Sequence, residues 1–328
     1  AVLAKPAEQT PLIAAAAVRA LHAAGVPGDV LALLPGDGAL GAALVADARI
    51  AGVAFTGGTD TARAIQRSLA AKDGPIVPCI AETGGLNALL VDSSALPEQA
   101  VEDVITSAFR SAGQRCSAAR LLLVQADAAG RVLELLAGAM AELVIGDPAD
   151  LATDVGPVID AAACAALAAH VGRLEREARL IHRCPLPAAC AHGSHFAPQA
   201  WEIPDVRWLT REVFGPVLHV VRYRAQELDA IVDAVNAAGY GLTFGIHSRI
   251  DATVERVLAR IRAGNVYVNR SIIGAVVGTQ PFGGSGLSGT GPKAGGPNYV
   301  QRFAEERTLS VNTTAAGGNA ALMTLAES

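Results

Sequence analysis

Aromatic residues make up only 4% of this 328-residue chain, so no core can be built around rings. Ala, Val, Leu and Ile must fill it instead, and at 51% hydrophobic residues there are enough for a large one. Excess positive charge is also lacking: the net charge of −5 leaves no electrostatic footprint for nucleic acid. No long apolar run occurs. The longest uncharged stretch, 271–292, is interrupted by Gly, Gln and Pro and is no membrane span. There is no signal-peptide pattern, and five cysteines at irregular spacing give no disulfide framework, so a reducing cytoplasm fits best. An initiator Met is missing too. The opening Ala1-Val2-Leu3-Ala4 reads as the inside of a buried strand, which predicts a piece cut from a larger chain.

The length suggests two domains. Short apolar runs at 2–4, 30–34, 53–55 and 76–80 alternate with helical patterns at 11–24, 41–48 and 59–71. This alternation predicts a parallel sheet wrapped by helices, with ligands beyond the strand C-termini. The pattern restarts near Leu86. Strands are expected at 121–124, 217–221 and 264–268, and helices at 98–110, 129–143, 160–178, 225–237 and 252–261. The fold class is therefore α/β. The boundaries are a partial cofactor-binding domain at 1–85, a catalytic domain at 86–288 and a Gly- and Pro-rich tail at 289–328. Thr308-Leu309-Ser310-Val311 reads as one strand in that tail.

Cys116 stands in Ser111-Ala112-Gly113-Gln114-Arg115-Cys116-Ser117-Ala118, just after a helical stretch. A cysteine is ordinarily a small buried hydrophobe, and the other four read that way. Cys116 differs because Arg115 beside it would favour the thiolate and lower the thiol pKa. Glu82 follows an apolar run and precedes Thr83, Gly84 and Gly85, at the sheet's C-terminal edge. A lone Glu is usually a solvated charge. Pro35-Gly36-Asp37-Gly38-Ala39-Leu40-Gly41 has Gly-x-Gly-x-x-Gly spacing but follows the second strand of the chain, and a lone match carries little. His182, Cys184, Cys190, His192 and His195 are metal-ligating types in one short segment, but their spacing matches no regular zinc signature; a polar loop before a strand at Phe196 is the expectation, with no metal.

Taken together, Cys116, the Glu82 turn, Arg211-Glu212-Val213-Phe214-Gly215-Pro216 and Gln280-Pro281-Phe282-Gly283-Gly284 resemble the NAD(P)-dependent aldehyde dehydrogenase family over nearly the whole chain. The resemblance implies that Cys116 attacks the aldehyde carbon and that Glu82 activates the deacylating water, with partial burial raising its pKa to suit. It implies that Lys5 and Glu8 meet the adenosine ribose, where Glu8 would repel a 2′-phosphate and favour NAD. Gly38, Phe55, Gly57, Gly58, Thr83 and Gly84 would line the dinucleotide, with Glu212 and Phe214 at its nicotinamide end. Thr83 stands where the family usually has Leu, and Gly58 where it commonly has Ser.

The stretch 271–284 is similar to the glutamate γ-semialdehyde (1-pyrroline-5-carboxylate) dehydrogenases. By that resemblance Gly274 and Ala275 offer backbone N–H groups to the substrate's α-carboxylate, Ser117 a hydroxyl, and Phe282 packs on the aliphatic chain. The tail, including 291–299 and 306–319, resembles the dehydrogenase half of the bifunctional proline utilization A family. There a proline dehydrogenase carrying FAD shares the chain, and the tail strand implies a homo-oligomer. The oxyanion-donating Asn of the family would precede Lys5 and is absent from this sequence, leaving the Cys116 N–H. Three other readings stay open: another aldehyde dehydrogenase, a cofactor-independent Cys esterase or acyl-transfer enzyme, and a fragment that folds without catalysis.

Overall fold

The computed structural model describes residues 1–312. Its first part alternates as the sequence predicts: β1 (Val2–Ala4), α1 (Pro11–Ala23), β2 (Leu31–Leu33), α2 (Gly38–Ala46), β3 (Val53–Thr56), α3 (Thr59–Ala70) and β4 (Cys79–Glu82). The strands are parallel, but in two separate pairs, β1–β2 and β3–β4. Two expectations change. β1 is a strand but not a buried one: Val2 is 57% and Leu3 45% exposed, because β2 lines one edge only and no packed layer covers their side chains. β4 starts later than 76 and ends on Glu82, so Glu82 is the last residue of the strand rather than the first after it.

The second part carries β5 (Ala88–Val91), α4 (Pro97–Phe109), β6 (Leu121–Gln125), α5 (Ala126–Ala141), α6 (Ala161–Glu177), β7 (Arg179–Arg183), β8 (Gln199–Glu202) and β9 (Val217–Tyr223). Then come α7 (Leu228–Ala237), β10 (Tyr240–Gly241), β11 (Thr243–His247), α8 (Asp251–Leu258), β12 (Asn265–Val268) and β13 (Ser285–Gly286). Seven strands form one mixed sheet in the order β12-β11-β5-β6-β9-β8-β7, parallel except for β7 against β8. Central β5 and β6 are buried on both faces, which is why they read as continuous apolar runs. Each fully buried Leu of β6 contributes about 1.5–3 kcal/mol. α4 starts on Pro97 and buries Ala100, Val101, Val104 and Ala108 along one stripe against this sheet. The chain turns back after α4, so the N-terminal ends of β5 and β6 lie beside the Cys116 loop.

The run Thr308–Val311 is not a strand. Leu309 is 78% and Val311 71% exposed, and among the described residues no neighbouring strand supplies the ladder that a β-run needs. Residues 313–319 of the tail motif lie outside the described residues. The earlier tail is more ordered than its composition suggests. β13 pairs antiparallel with β10, and Gly289 bridges Glu82 on β4. Thr290 N donates to Ala81 O (2.9 Å), and Ala81 N donates back to the Thr290 hydroxyl (2.9 Å). One six-residue passage thus stitches the first part to the second. Among the described residues no helix is long and apolar enough to cross a membrane.

Candidate active site

Glu82 ends β4 facing this stitched passage. Its Oε2 accepts from Gly284 N (3.3 Å), while Oε1 is buried with no hydrogen-bond partner among the described residues. The surrounding turns must be glycine. A Cβ at Gly283 would sit 2.7 Å from Oε1, and one at Gly289 3.0 Å from Oε2. Burial pushes the carboxyl up to about 7, against the Gly284 N–H and the Lys293 charge. A carboxyl near neutrality with one open oxygen is suited to take a proton.

Cys116 follows a turn in the left-handed region, with φ of 56° at Ser111, 52° at Ala112 and 65° at Gly113. Such a conformation costs about 1–2 kcal/mol per non-glycine residue and persists only when its surroundings impose it. Arg120, fully buried just before β6, supplies that hold. Nη1 donates to Gly113 O (2.6 Å) and Gly215 O (3.3 Å), and Nη2 to Arg115 O (3.0 Å) and Glu212 Oε1 (3.1 Å). Its guanidinium also lies over the Phe214 ring at 5.2 Å. On the other side, buried Asn87 donates to Cys116 O (2.7 Å) and Ala118 O (2.9 Å) and accepts from Thr243 N (3.1 Å). Ser117 is buried next to the thiol, its carbonyl accepting from the Thr243 hydroxyl (3.3 Å). Asn87 and Arg120 are the residues that sequence reasoning missed. Asn87 closes the Glu82 motif, which is the one signal that could have found it. Arg120 looks like any residue opening a strand.

Arg115 does not activate the thiol. Its guanidinium is exposed and turns back to the Ser111 hydroxyl (3.0 Å). Burial pushes the Cys116 thiol up, the Glu212 and Glu82 charges push it further, and the Ser117 and Cys116 N–H groups oppose them.

Glu212 is turned inward. A Cβ on Gly84 would fall 1.6 Å from its Oε2, and burial pushes its carboxyl up against the pull of Arg120 and the Gly85 N–H. Removing the cation should leave this buried carboxylate alone. We expect Arg120→Met to destabilise the fold by about 3–5 kcal/mol in denaturant melts. Adding Glu212→Gln should recover part of that loss, and strictly additive losses would show that the pair is uncoupled.

The residues expected at a dinucleotide divide into two groups. Gly57 N donates to Glu82 O (3.1 Å), and the Phe55 ring lies where a Gly57 Cβ would be, so both flank Glu82 through the β3–β4 pair. Gly58 caps α3 with no side-chain bond and open space around it, leaving the first-turn N–H groups free among the described residues. That helix start fits a pyrophosphate. The start of α2 at Gly38 does not, because the Asp37 carboxylate already accepts from Ala39 N (2.9 Å) and Leu40 N (3.2 Å). Thr83 is buried and donates its hydroxyl to Leu287 O (2.5 Å), holding the stitched passage. The Lys5 ammonium binds Pro6 O and Gly36 O at 2.8 Å each, and Glu8 is exposed in the same loop. Phe214 is 46% exposed.

The 271–280 loop begins where Ile272 N donates to the buried Ser107 hydroxyl (3.1 Å). Gly274 has φ 73°, and among the described residues neither its N–H nor that of half-buried Ala275 donates to any acceptor. Phe282 is half-buried, bridged to Ala294 beside the Gly283–Gly284 turn. The five His and Cys of 182–195 are dispersed. His182 is on β7, Cys184 donates to Met140 O (3.1 Å), Cys190 to Ile145 O (3.7 Å), and the His195 ring meets Gly146 O (3.1 Å).

Comparison with known proteins follows the same lines. The aldehyde dehydrogenase family model matches residues 1–309. Bifunctional protein PutA of Rhizobium meliloti is 56% identical over 306 residues, 92% of this chain and 25% of that protein. A mutant proline utilization A from Bradyrhizobium japonicum superposes with a TM-score of 0.93 at 60% identity, covering 97% of this chain and 32% of that one. The 1-pyrroline-5-carboxylate dehydrogenase from Thermus with bound NAD has a TM-score of 0.87 at 35% identity, covering 93% and 59%. The chain thus spans about a quarter of the curated PutA relative's length.

Proposed function

Because this chain belongs to the aldehyde dehydrogenase family, we propose that it oxidises L-glutamate γ-semialdehyde to L-glutamate with NAD, as part of a larger proline-degrading protein. One observation carries the reading: among the described residues the buried Oε1 of Glu82 has no hydrogen-bond partner, in a carboxyl enclosed by Gly283, Gly284 and Gly289. The names of the relatives, PutA and 1-pyrroline-5-carboxylate dehydrogenase, support the substrate. They also support a proline dehydrogenase with FAD elsewhere in the parent protein, and we extend the reading to self-association through the tail. Residues 1–85 would serve the cofactor, and 86–288 the chemistry.

In this mechanism Cys116 gives its thiol proton to solvent water, the thiolate sulfur bonds to the aldehyde carbon, and the oxygen gains the negative charge, which the Cys116 N–H would meet. When bound, NAD supplies the hydride acceptor. Gly57, Gly58 and the free start of α3 would hold its pyrophosphate, and Lys5 and Glu8 its adenosine ribose. Phe214 would flank the nicotinamide end, where Glu212 must share its carboxylate with Arg120. Loss of hydride leaves a Cys116 thioester. Glu82 then takes a proton from water, the water oxygen attacks the thioester carbon, and the C–S bond breaks to release the acid and the thiol. Ser117, Phe282 and the free N–H groups of Gly274 and Ala275 would hold the substrate, the N–H pair on its α-carboxylate.

The test is specificity. Ala275→Pro removes one donor to a charged group, worth about 1.5–3 kcal/mol or roughly 10–100-fold in KM for glutamate semialdehyde. Propanal, which has no α-carboxylate, should be oxidised almost unchanged. Equal losses for both would show that the loop only supports the fold. Absence of NADH from either aldehyde in the unmodified full chain would sink the whole reading.

A further inference from the structure

A second set of side chains reaches the nucleophile loop from behind. His219 on β9 is fully buried, and its Nδ1 lies 2.9 Å from Arg120 O. Its Nε2 lies 2.8 Å from the Nε2 of His170 on α6. A carbonyl only accepts, so His219 Nδ1 carries the proton. Its Nε2 then has a lone pair, and the proton between the two rings belongs to His170. Burial, reinforced for His170 by Arg173 and Arg211, holds His170 down to about 4 and His219 to about 3, so both rings are neutral at neutral pH. The outer ring is itself packed edge-on against Trp208 (5.6 Å), whose face carries Arg173 at 3.7 Å.

The receiving residue matters. Arg120 O also accepts from His219 N (3.0 Å), so one carbonyl is fixed by two donors of the same histidine. The guanidinium of that same Arg120 grips Gly113 O and Arg115 O, the two carbonyls bracketing the step into Cys116. The turn it grips is left-handed at two non-glycine residues and would relax if released. Nothing in aldehyde oxidation uses either histidine. We propose that His219, oriented by His170, is a positioning residue that fixes Arg120 and thereby the placement of the Cys116 thiol. The inference rests on Cys116 being the nucleophile, but its main readout does not need turnover.

The experiment compares His219→Leu, His219→Asn and His170→Phe in the full chain, reading the iodoacetamide alkylation rate of each cysteine by peptide mass spectrometry. Leu removes both ring contacts at similar volume, whereas an Asn amide can still donate to Arg120 O. In His219→Leu, loosening should expose Cys116, raising its alkylation rate about tenfold, while displacement of the thiol lowers kcat by roughly 10–100-fold with a smaller change in KM. Cys79 and Cys164 should keep their rates, as should buried Cys184 and Cys190. His219→Asn should restore most of both effects, and His170→Phe should lie between. An unchanged Cys116 rate in His219→Leu overturns the proposal. So does a joint rise at all five cysteines, which would make the pair an ordinary piece of core. If Cys116 proved dispensable for aldehyde oxidation, the functional reading would fail while the alkylation result still stood.

Discussion

Cys116→Ala should reduce NADH formation from glutamate semialdehyde by about 10³-fold or more, the scale seen when a covalent nucleophile is removed. The expectation follows from its position and from the four alternatives. Cys184 and Cys190 are buried and bonded to carbonyls, and Cys164 lies on α6, where the charge that acts on its thiol is that of Asp160. Cys79 is at the start of β4, at the opposite end of the strand from Glu82. Only Cys116 has its thiol perturbed by both Glu212 and Glu82. The variant removes one sulfur from a loop anchored through its main chain by Asn87 and Arg120, so the melting temperature should hardly move. Activity above a tenth of the unmodified protein would assign the chemistry to another group.

Glu82→Gln should separate the two halves of the reaction. The first equivalent of NADH should still form rapidly, because the sulfur attack and the hydride step do not use this carboxylate. Steady turnover should then fall by about 10²–10⁴-fold, the usual contribution of a general base. Glutamine keeps the shape and still accepts from Gly284 N, so the glycine turns around it are undisturbed. The pH dependence has a definite sign. A base works only when ionised, and burial puts this carboxyl at about 7. Steady-state rate in the unmodified protein should therefore climb through pH 6 to 8 and level off above. Glu82→Gln should remove that rise. A variant with normal steady-state rate, or an unmodified protein whose rate falls across this interval, would remove Glu82 from the role.

The parts of this molecule legible in the sequence are those whose cause is local. Helices α1, α3, α4 and α6 announce themselves by apolar spacing, helped by Pro in the first turn of α1 and α4 and by Gly25 just after α1. β6 is legible because four apolar residues in succession leave little else to be. β5 and β11 escape notice because a short strand buried on both faces has neither alternation nor turn signals of its own. β7 was hidden for the opposite reason. Arg179, His182 and Arg183 give it a polar edge, so the segment reads as loop. At the site, Cys116 and Glu82 stand out by their flanking glycines. Arg120 does not, because its partners Glu212 and Gly215 lie 92 and 95 residues away and only the fold brings them in. Arg115 misled for the same reason: adjacency in sequence placed a cation near the thiol, whereas the left-handed turn swings it towards Ser111.

The passage that stitches β4 to β10 also sets the order in which this site can exist. Glu82 and its Gly284 donor are 202 residues apart in the chain. At a synthesis rate of about 5–20 residues per second, that interval is roughly 10–40 s on the ribosome. Until Gly284 and Gly289 are made, the turns that enclose the carboxyl do not exist, whereas every strand of the large sheet from β5 to β12 is made before them. The buried environment of Glu82 is thus the product of a late, long-range closure, and no nascent chain ending before Gly289 can have all of it. Assembly of the reactive carboxyl and completion of the second part of the fold become a single event, so a half-made chain has a folded scaffold without the chemistry.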